Sequence, residues 1–515
     1  MKSKNHKYAL LLVAAVTITS TGALSQAFAQ QVSDGMDGYV LGTSGIYTGN
    51  DNECWFDDGE GNMLPCRIDT GDTAWMLTAS SLVLFMSPGV AFFYGGLARS
   101  KNVTNVLGMT LIVMGIISVQ WVLFGYSLAF GPGDNAFMGS LDYAGLNMVS
   151  HYAPLGGAGP CTDTWSAAYQ MQMFHEDEIC SQDWPGTIPH ALFMAFQGTF
   201  AIITPVLIIG GLIDRIKFSA LIVFTLLWAT FVYDPIAHWV WGGGIIAQLD
   251  FNPDLSPSGA LDFAGGTVVH ISSGFSALAG ALLLGRRLGY GKIPMEPHNI
   301  PMVVLGASIL WFGWFGFNAG SEVMVDGITV SAWVVTNIAT GMAVVSWVLM
   351  SWAHTGKPSI VGAATGAVAG LVTITPASGW VGPMAAIIMG IAAGTVCYAA
   401  VAFKNARKWD DALDVWGVHG IGGLTGAILT GTLASPHIWD TGDGIGAWTG
   451  TPEGMETQAL SITGAAISIG YAFGLTIIIL KVMDAVWPGG IRVTPKEEEI
   501  GLDLAQHGER AYVNE

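Results

Sequence analysis

The chain has 515 residues, 51% of them hydrophobic and only 11% charged, with a formal net charge of −19. Soluble domains carry about 25% charged residues, so an ordinary soluble enzyme is excluded, and the acidic balance disfavours a nucleic-acid partner. Apolar stretches of ~20 residues, enough to cross ~30 Å of hydrocarbon, recur from Ala74 to Val482. They describe an all-α polytopic membrane protein embedded in a lipid bilayer.

Residues 1–29 read as a signal peptide: Lys2, Lys4 and Lys7, then "YALLLVAAVTI", then Ala27-Phe28-Ala29 as a cleavage site. An uncleaved anchor helix is the alternative. Residues 30–73 are polar and glycine-rich, an extracellular segment without helical periodicity. The membrane domain follows over 74–484, and a short cytoplasmic tail over 485–515.

Eleven spans are expected, at about 75–97, 103–130, 187–210, 217–241, 263–285, 299–318, 328–353, 359–376, 380–403, 414–434 and 459–482. An extracellular insertion, about 131–186, separates the second from the third. Signal cleavage leaves the N-terminus outside, so an odd number of spans puts the C-terminus in the cytoplasm. Lysine and arginine give an independent check. Fifteen of the 19 fall in the segments expected inside, three lie in the signal peptide, and only Arg67 is left outside, as the positive-inside bias requires of a correct count. By the same topology 25 of the 38 acidic residues face outward. That is either a solvated surface or a field that gathers cations near a pore.

Cys54, Cys66, Cys161 and Cys180 all fall in outer segments, where oxidation is possible, while Cys397 lies within a span. Four cysteines allow three pairings; locality favours Cys54–Cys66 and Cys161–Cys180. Their spacing does not suit zinc, and no metal or other cofactor is expected. "HEDEI" at 175–179 lacks the second histidine of a zinc protease motif, and no T-V-G-Y-G potassium filter occurs.

"LDFAGGTVVHISSG" opens the fifth span and "LDVWGVHGIGGLTG" the tenth, each with Leu-Asp, small residues and one histidine. Five spans apart, the two helices run in opposite directions, the pattern of an inverted repeat whose halves meet at a substrate path. At 1.5 Å per residue, His270 lies ~12 Å in from Asp262 at the outer face and His419 ~13 Å in from Asp410 at the inner face. In ~30 Å of hydrocarbon the two imidazoles come within about 5 Å in depth. Ionisable groups at such depth face a pathway or a bundle interior. His238, nearer a helix end, reads as structural.

These residues sit within a longer set of motifs. "PGVAFFYGGLARSKN", "FQGTFAIITP", "HWVWGGG", "LDFAGGTVVHISSG", "PHNIPMV", "WFGWFGFNAGS", "DVWGVHGIGG" and the tail "GLDLAQHGERAY" resemble, in order, the ammonium transporter (Amt/Mep/Rh) family, Amt branch, of bacterial and archaeal type. The resemblance covers about residues 74 to 512. It implies a transporter rather than an enzyme, a cell-membrane homotrimer with one pore per subunit, and eleven helices as a five-plus-five inverted repeat plus one. It matches Trp241, Phe196 and Ser321 to the outer ammonium-binding site, and Phe200 and Phe317 to the stacked rings that gate the pore. His270 and His419 match the twin pore histidines. Asp262 matches the acidic residue near the outer site, with a mainly structural role capping the fifth helix. A PII signal protein at the cytoplasmic face is a further implied partner, the alternative being a tail that packs only on its own inner loops. Three departures stand out: Asp214 in place of glutamate, Trp416 in place of phenylalanine, and Asp234 where relatives carry an uncharged residue. An ammonium sensor with little net transport is the competing function.

Overall fold

The computed structural model describes residues 54–57, 63–66, 68–147, 149, 187–253, 255, 258–439 and 445–512. The expected signal peptide, the part of 30–73 before Cys54, and both Cys161 and Cys180 lie outside the described residues. A short antiparallel hairpin, β1 (Cys54–Asp57) with β2 (Met63–Cys66), sets Cys54 and Cys66 in register.

The rest is helical. In chain order the long helices are α1 (Thr70–Leu97), α2 (Ser100–Phe130), α3 (His190–Leu212), α4 (Phe218–Trp241), α5 (Gly266–Leu284), α6 (Ile300–Glu322), α7 (Gly327–Thr355), α8 (Ile360–Ala377) and α9 (Pro383–Arg407). They continue with α10 (Trp416–Gly420 running into Ile421–Leu433) and α11 (Pro452–Val486). Ten of these, all but α10, are long and apolar enough to cross a membrane among the described residues. The eleventh expected span is there as a helix, but its histidine and its run of glycines leave it too polar to qualify by composition. Such a helix belongs in the middle of a bundle rather than against lipid.

Helix starts follow local chemistry. The Asp69 side chain caps α1 by accepting from Asp72 N, Asp326 closes a capping box on α7, and Thr451 with Pro452 starts α11. Enclosure then sorts the layers: 83% of the apolar window is buried in α3, α5 and α8, against 33% in α11. The enclosed α3 and α5 carry Phe196, Phe200 and His270, while α6, 44% buried, carries Phe317 on its inner side.

At the centre α5 crosses α10 with no side chain between them. A Cβ on Gly274 would lie 2.1 Å from Gly420 N, and one on Gly423 would lie 3.0 Å from His270 Cβ. Each glycine stands four residues after its own helix's histidine, and each rests on the residues at and just after the other's. The contact is therefore reciprocal, as a two-fold relation between the halves requires.

The face bearing the tail is closed by ions and by the tail itself. Arg287 Nη2 lies 2.7 Å from Asp410 Oδ1, Arg99 Nε 2.9 Å from Asp214 Oδ2, and Asn102 also donates to Asp214. Burial pushes the Asp410 carboxyl up, but the Arg287 hydrogen bonds and the nearby Arg215 outweigh it and hold the group below its ordinary range. Val493 N donates to Arg215 O at 2.8 Å, Leu502 N to Asn102 Oδ1 at 2.7 Å, and Asn105 N to Asp503 Oδ1 at 2.7 Å. The tail thus packs on its own inter-helix loops.

The crossing gives a stability prediction. Gly274→Ala forces the α5 and α10 backbones apart, so the protein in detergent should lose about 1–3 kcal/mol and melt at lower temperature. Gly470→Ala, on an exposed face of α11 with nothing within 4 Å of its Cβ, should leave the melting temperature unchanged or slightly raised.

Candidate functional site

The site grows from the start of α5. Gly265, at φ +108°, turns the chain as only glycine does without strain. The first turn is π-helical, with His270 N donating to Gly265 O at 3.1 Å. Wide turns of this kind recur where a helix must present functional groups. Asp262 holds that turn in place. Its buried carboxylate accepts from Gly265 N (2.9 Å), Gly266 N (2.6 Å), Thr267 N (2.7 Å) and Val268 N (3.1 Å). Four donors at a helix N-terminus compensate a buried anion without any cation. Its own carbonyl accepts from Trp241 Nε1 at 3.0 Å, so one residue fixes both the helix that carries His270 and the indole at the end of α4.

Helix α10 repeats this plan. Trp416–Gly420 is again π-helical and contains His419. The capping acid is Asp411, whose Oδ2 accepts from Trp416 N at 2.8 Å. This corrects the motif alignment made from the sequence, which matched Asp262 with Asp414. Asp262 precedes His270 by the same eight residues that separate Asp411 from His419, whereas Asp414 pairs with Lys404 Nζ at 2.6 Å. The Leu-Asp dipeptide was a coincidence; spacing to the histidine was the usable signal.

From Trp241 inward the aromatic residues form a continuous file. The Trp241 and Phe200 rings are 5.9 Å apart, edge to face; Phe200 and Phe317 are 4.4 Å apart; Phe317 and His270 are 5.9 Å apart and stacked. His270 and His419 end the file, with Nδ1 atoms 3.3 Å apart. An N–H···N contact needs one donor and one acceptor nitrogen, so at least one of the two Nδ1 atoms carries no proton. Phe196 joins beside Phe200 at 4.9 Å. Its ring lies 3.0 Å from where a Gly320 Cβ would stand, so the backbone next to Ser321 comes up against it. Ser321 Oγ donates to Phe317 O at 2.8 Å. The structure therefore brings together all seven residues singled out by the motifs, supplied by α3, α4, α5, α6 and α10.

A small cavity lies past the phenyl pair, lined by Tyr94, Val269, His270, Trp314, Phe317 and His419 among others. His270 Nε2 is buried there without a hydrogen-bond partner. Two residues of this wall escaped the sequence reading. Trp314 stacks on His270 at 5.3 Å and is held by Thr375 Oγ1 at 2.8 Å; Tyr94 donates to Leu207 O at 2.9 Å. Trp314 was visible inside "WFGWFGFNAGS" but, among so many tryptophans, had nothing to mark it. His238 is committed elsewhere, to Ala129 O and Asn135 O at 2.9 and 2.8 Å.

The Asp262 geometry makes a prediction. Asp262→Asn keeps the shape but turns an N–H₂ group against backbone donors, so it should cost about 1.5–3 kcal/mol on the scale of hydrogen bonds to charge. Thermal melting of the purified variant checks it; an unchanged midpoint would mean that the cap contributes nothing net.

Comparison with known proteins gives concordant matches. The profile of the Ammonium Transporter Family matches residues 74–512. An ammonium transporter of Bacillus subtilis is 42% identical over 447 residues, covering 86% of this chain and 99% of the relative. The crystal structure of Candida albicans Mep2 superimposes with a TM-score of 0.72 at 36% identity, over 87% of this chain and 91% of that one. A solved structure described as a sensor Amt protein superimposes with a TM-score of 0.68 at 26% identity, over 85% of this chain and 98% of that one.

Proposed function

The chain belongs to the ammonium transporter family, and we propose that it recruits ammonium at an outer site, strips its proton, and conducts ammonia through the file of rings. The observation that carries this reading is the unbroken sequence Trp241–Phe200–Phe317–His270–His419. It is supported further by the crossing of the two halves at the same depth as the histidines.

Each group has a physical part. The Trp241 face attracts a cation leaving water, and the Ser321 hydroxyl accepts an N–H from it, with Phe196 completing the apolar wall. Asp262 is a positioning residue, acting through Trp241 and the α5 turn. Phe200 and Phe317 at 4.4 Å leave no room for a hydration shell. An unpaired charge in that environment is far costlier than a neutral polar molecule, so ammonium gives up its proton at the gate and ammonia goes on. Beyond it, the free Nε2 of His270 and the imidazole of His419 offer polar edges to ammonia without a fixed positive charge. Potassium has no proton to release and is refused at the same step.

The working unit proposed is a homotrimer in the cell membrane, with the N-terminus outside, the tail inside, and Cys54–Cys66 and Cys161–Cys180 as candidate outer disulfides. A PII protein at the tail face remains part of the proposal. There the contact would be to a tail already docked on its own loops. A sensor is the second reading, prompted by the likeness at 26% identity to a sensor Amt protein, since sensing would use the same recruitment site; the likeness at 42% identity to an ammonium transporter favours transport.

Reconstituted protein separates these readings. An ammonium jump across proteoliposomes should drive uptake in the wild type; binding without uptake would favour a sensor. Replacing His270 and His419 together with leucine should abolish ammonium-driven current or let intact cations leak. If the double variant carries ammonium at the wild-type rate and still excludes potassium, the histidines are structural and the mechanism fails.

A further inference from the structure

A second polar centre lies away from the file of rings, between α2 and α4. Asp234 is wholly buried, yet among the described residues no basic group pairs with it. Its one hydrogen-bond partner among the described residues is Gln120, whose Nε2 donates to Oδ2 at 2.7 Å. Among the described residues the other carboxyl oxygen, Oδ1, has no hydrogen-bond partner, and neither has Gln120 Oε1. The backbone is unusual at the same place. A π-helical turn, Trp121–Gly125, begins directly after Gln120, and another, Ala229–Tyr233, ends directly before Asp234. Gly125 leaves room for the amide, since a Cβ there would lie 2.6 Å from Oε1.

Contrast this with Asp262, where four backbone N–H groups surround a buried carboxylate. One amide donor does not hold a buried anion, whose desolvation costs several kcal/mol. The two unpaired oxygens are both acceptors, so what is missing is a donor. Reversing the amide does not help: it would set two oxygens face to face at 2.7 Å, which again calls for a hydrogen between them.

We propose that Asp234 is a proton-binding site. Its carboxyl is a neutral acid at neutral pH, donating from Oδ1 to Gln120 Oε1 while Oδ2 accepts from Gln120 Nε2, a cyclic acid–amide pair. One proton satisfies both orphan oxygens. The remaining titratable neighbours are Tyr233 on the same helix and Tyr471, whose hydroxyl donates to Phe231 O from α11 at 2.8 Å. The Tyr233 hydroxyl lies by Thr204, itself one turn along α3 from the gate residue Phe200 and bonded to its carbonyl at 2.7 Å. The acid thus stands next to the gate helix and outside the substrate path.

Asparagine is the isostere of a neutral aspartic acid in this pairing, because its amide donates and accepts in the same places. Infrared spectra of the reconstituted full-length protein give a direct reading that does not depend on transport. The wild type at neutral pH should show a carboxylic acid C=O band above amide I that is absent from Asp234→Asn. Gln120→Leu should keep that band and shift it to higher wavenumber, as an acid freed of both hydrogen bonds. Asp234→Asn should melt with the wild type, whereas Asp234→Leu, which strands the amide, should melt several degrees lower. If no acid band is lost on Asp234→Asn, the carboxyl is ionised, held by a bound cation or water, and the proposal is overturned. If the band is lost but Gln120→Leu leaves its position unchanged, the acid–amide pair is wrong. Failure of ammonium uptake in the wild type would leave these outcomes untouched and count only against the transport reading.

Discussion

Everything in this molecule depends on two helices touching with nothing between them. Helices α5 and α10 meet backbone to backbone because Gly274 rests on Gly420 and Gly423 rests on the turn that carries His270. In lipid there is no hydrophobic drive to bring helices together, so close packing of small residues has to supply the attraction. Here the same closeness has a chemical result. Two imidazoles on separate helices reach 3.3 Å only if the axes carrying them are unusually near, and a side chain at either glycine would hold them apart. The glycines are thus as much a part of the histidine pair as the rings.

A close crossing places the histidines, but it does not orient them. That falls to the acids one helix turn or two before each. Asp262 and Asp411 both stand eight residues ahead of a histidine and both hold the start of a wide turn through backbone N–H groups. The arrangement sets the helix N-terminus against each carboxylate, with the Lys404 ammonium adding to it at Asp411. In the first half the device reaches further, since the Asp262 carbonyl also fixes the Trp241 indole. The positions of the Trp241 indole and of the turn that carries His270 are therefore both set by one residue.

How much of this could be read from the sequence depended on the kind of signal. Ten spans were plain because length and apolarity are additive along a chain, and their bounds agree with the helices to within a few residues at most ends. The tenth span of the chain was legible only through its motif, since enclosure allows a helix to be polar and glycine-rich. Depth arithmetic put the histidines at one level because the two halves carry equal runs of eight residues from capping acid to histidine, so any departure from the α-helical rise enters both alike. What misled was the shared Leu-Asp of the two motifs, which points to Asp414 where the fold uses Asp411. Both precede His419 and both are acids; only the direction of the carboxylate, toward Trp416 N or toward Lys404, separates them. Trp314 and Tyr94 were out of reach for a similar reason, being two among many aromatic residues in apolar helices until the fold brought them to one wall.

The buried acids show why satisfaction, rather than burial, separates their roles. Asp214 and Asp410 sit in a layer of arginines at the tail face, where ion pairs of 2.7–3.6 Å neutralise them. Asp262 has its four N–H donors. Each has its charge matched, Asp262 by backbone N–H groups and Asp214 and Asp410 by arginines that they share. Asp234 and Glu322 are held less completely: both are fully buried and both leave oxygens without a donor among the described residues, as does Oδ1 of the capping acid Asp411. On the deprotonation mechanism proposed above, an incompletely satisfied carboxyl is a group with capacity left over. An anion that is fully held resists protonation, and so serves architecture; one that is not held can take a proton with little change in its surroundings. The buried acids of this fold thus differ in how many N–H groups are pointed at each, four backbone donors at Asp262 against one amide at Asp234.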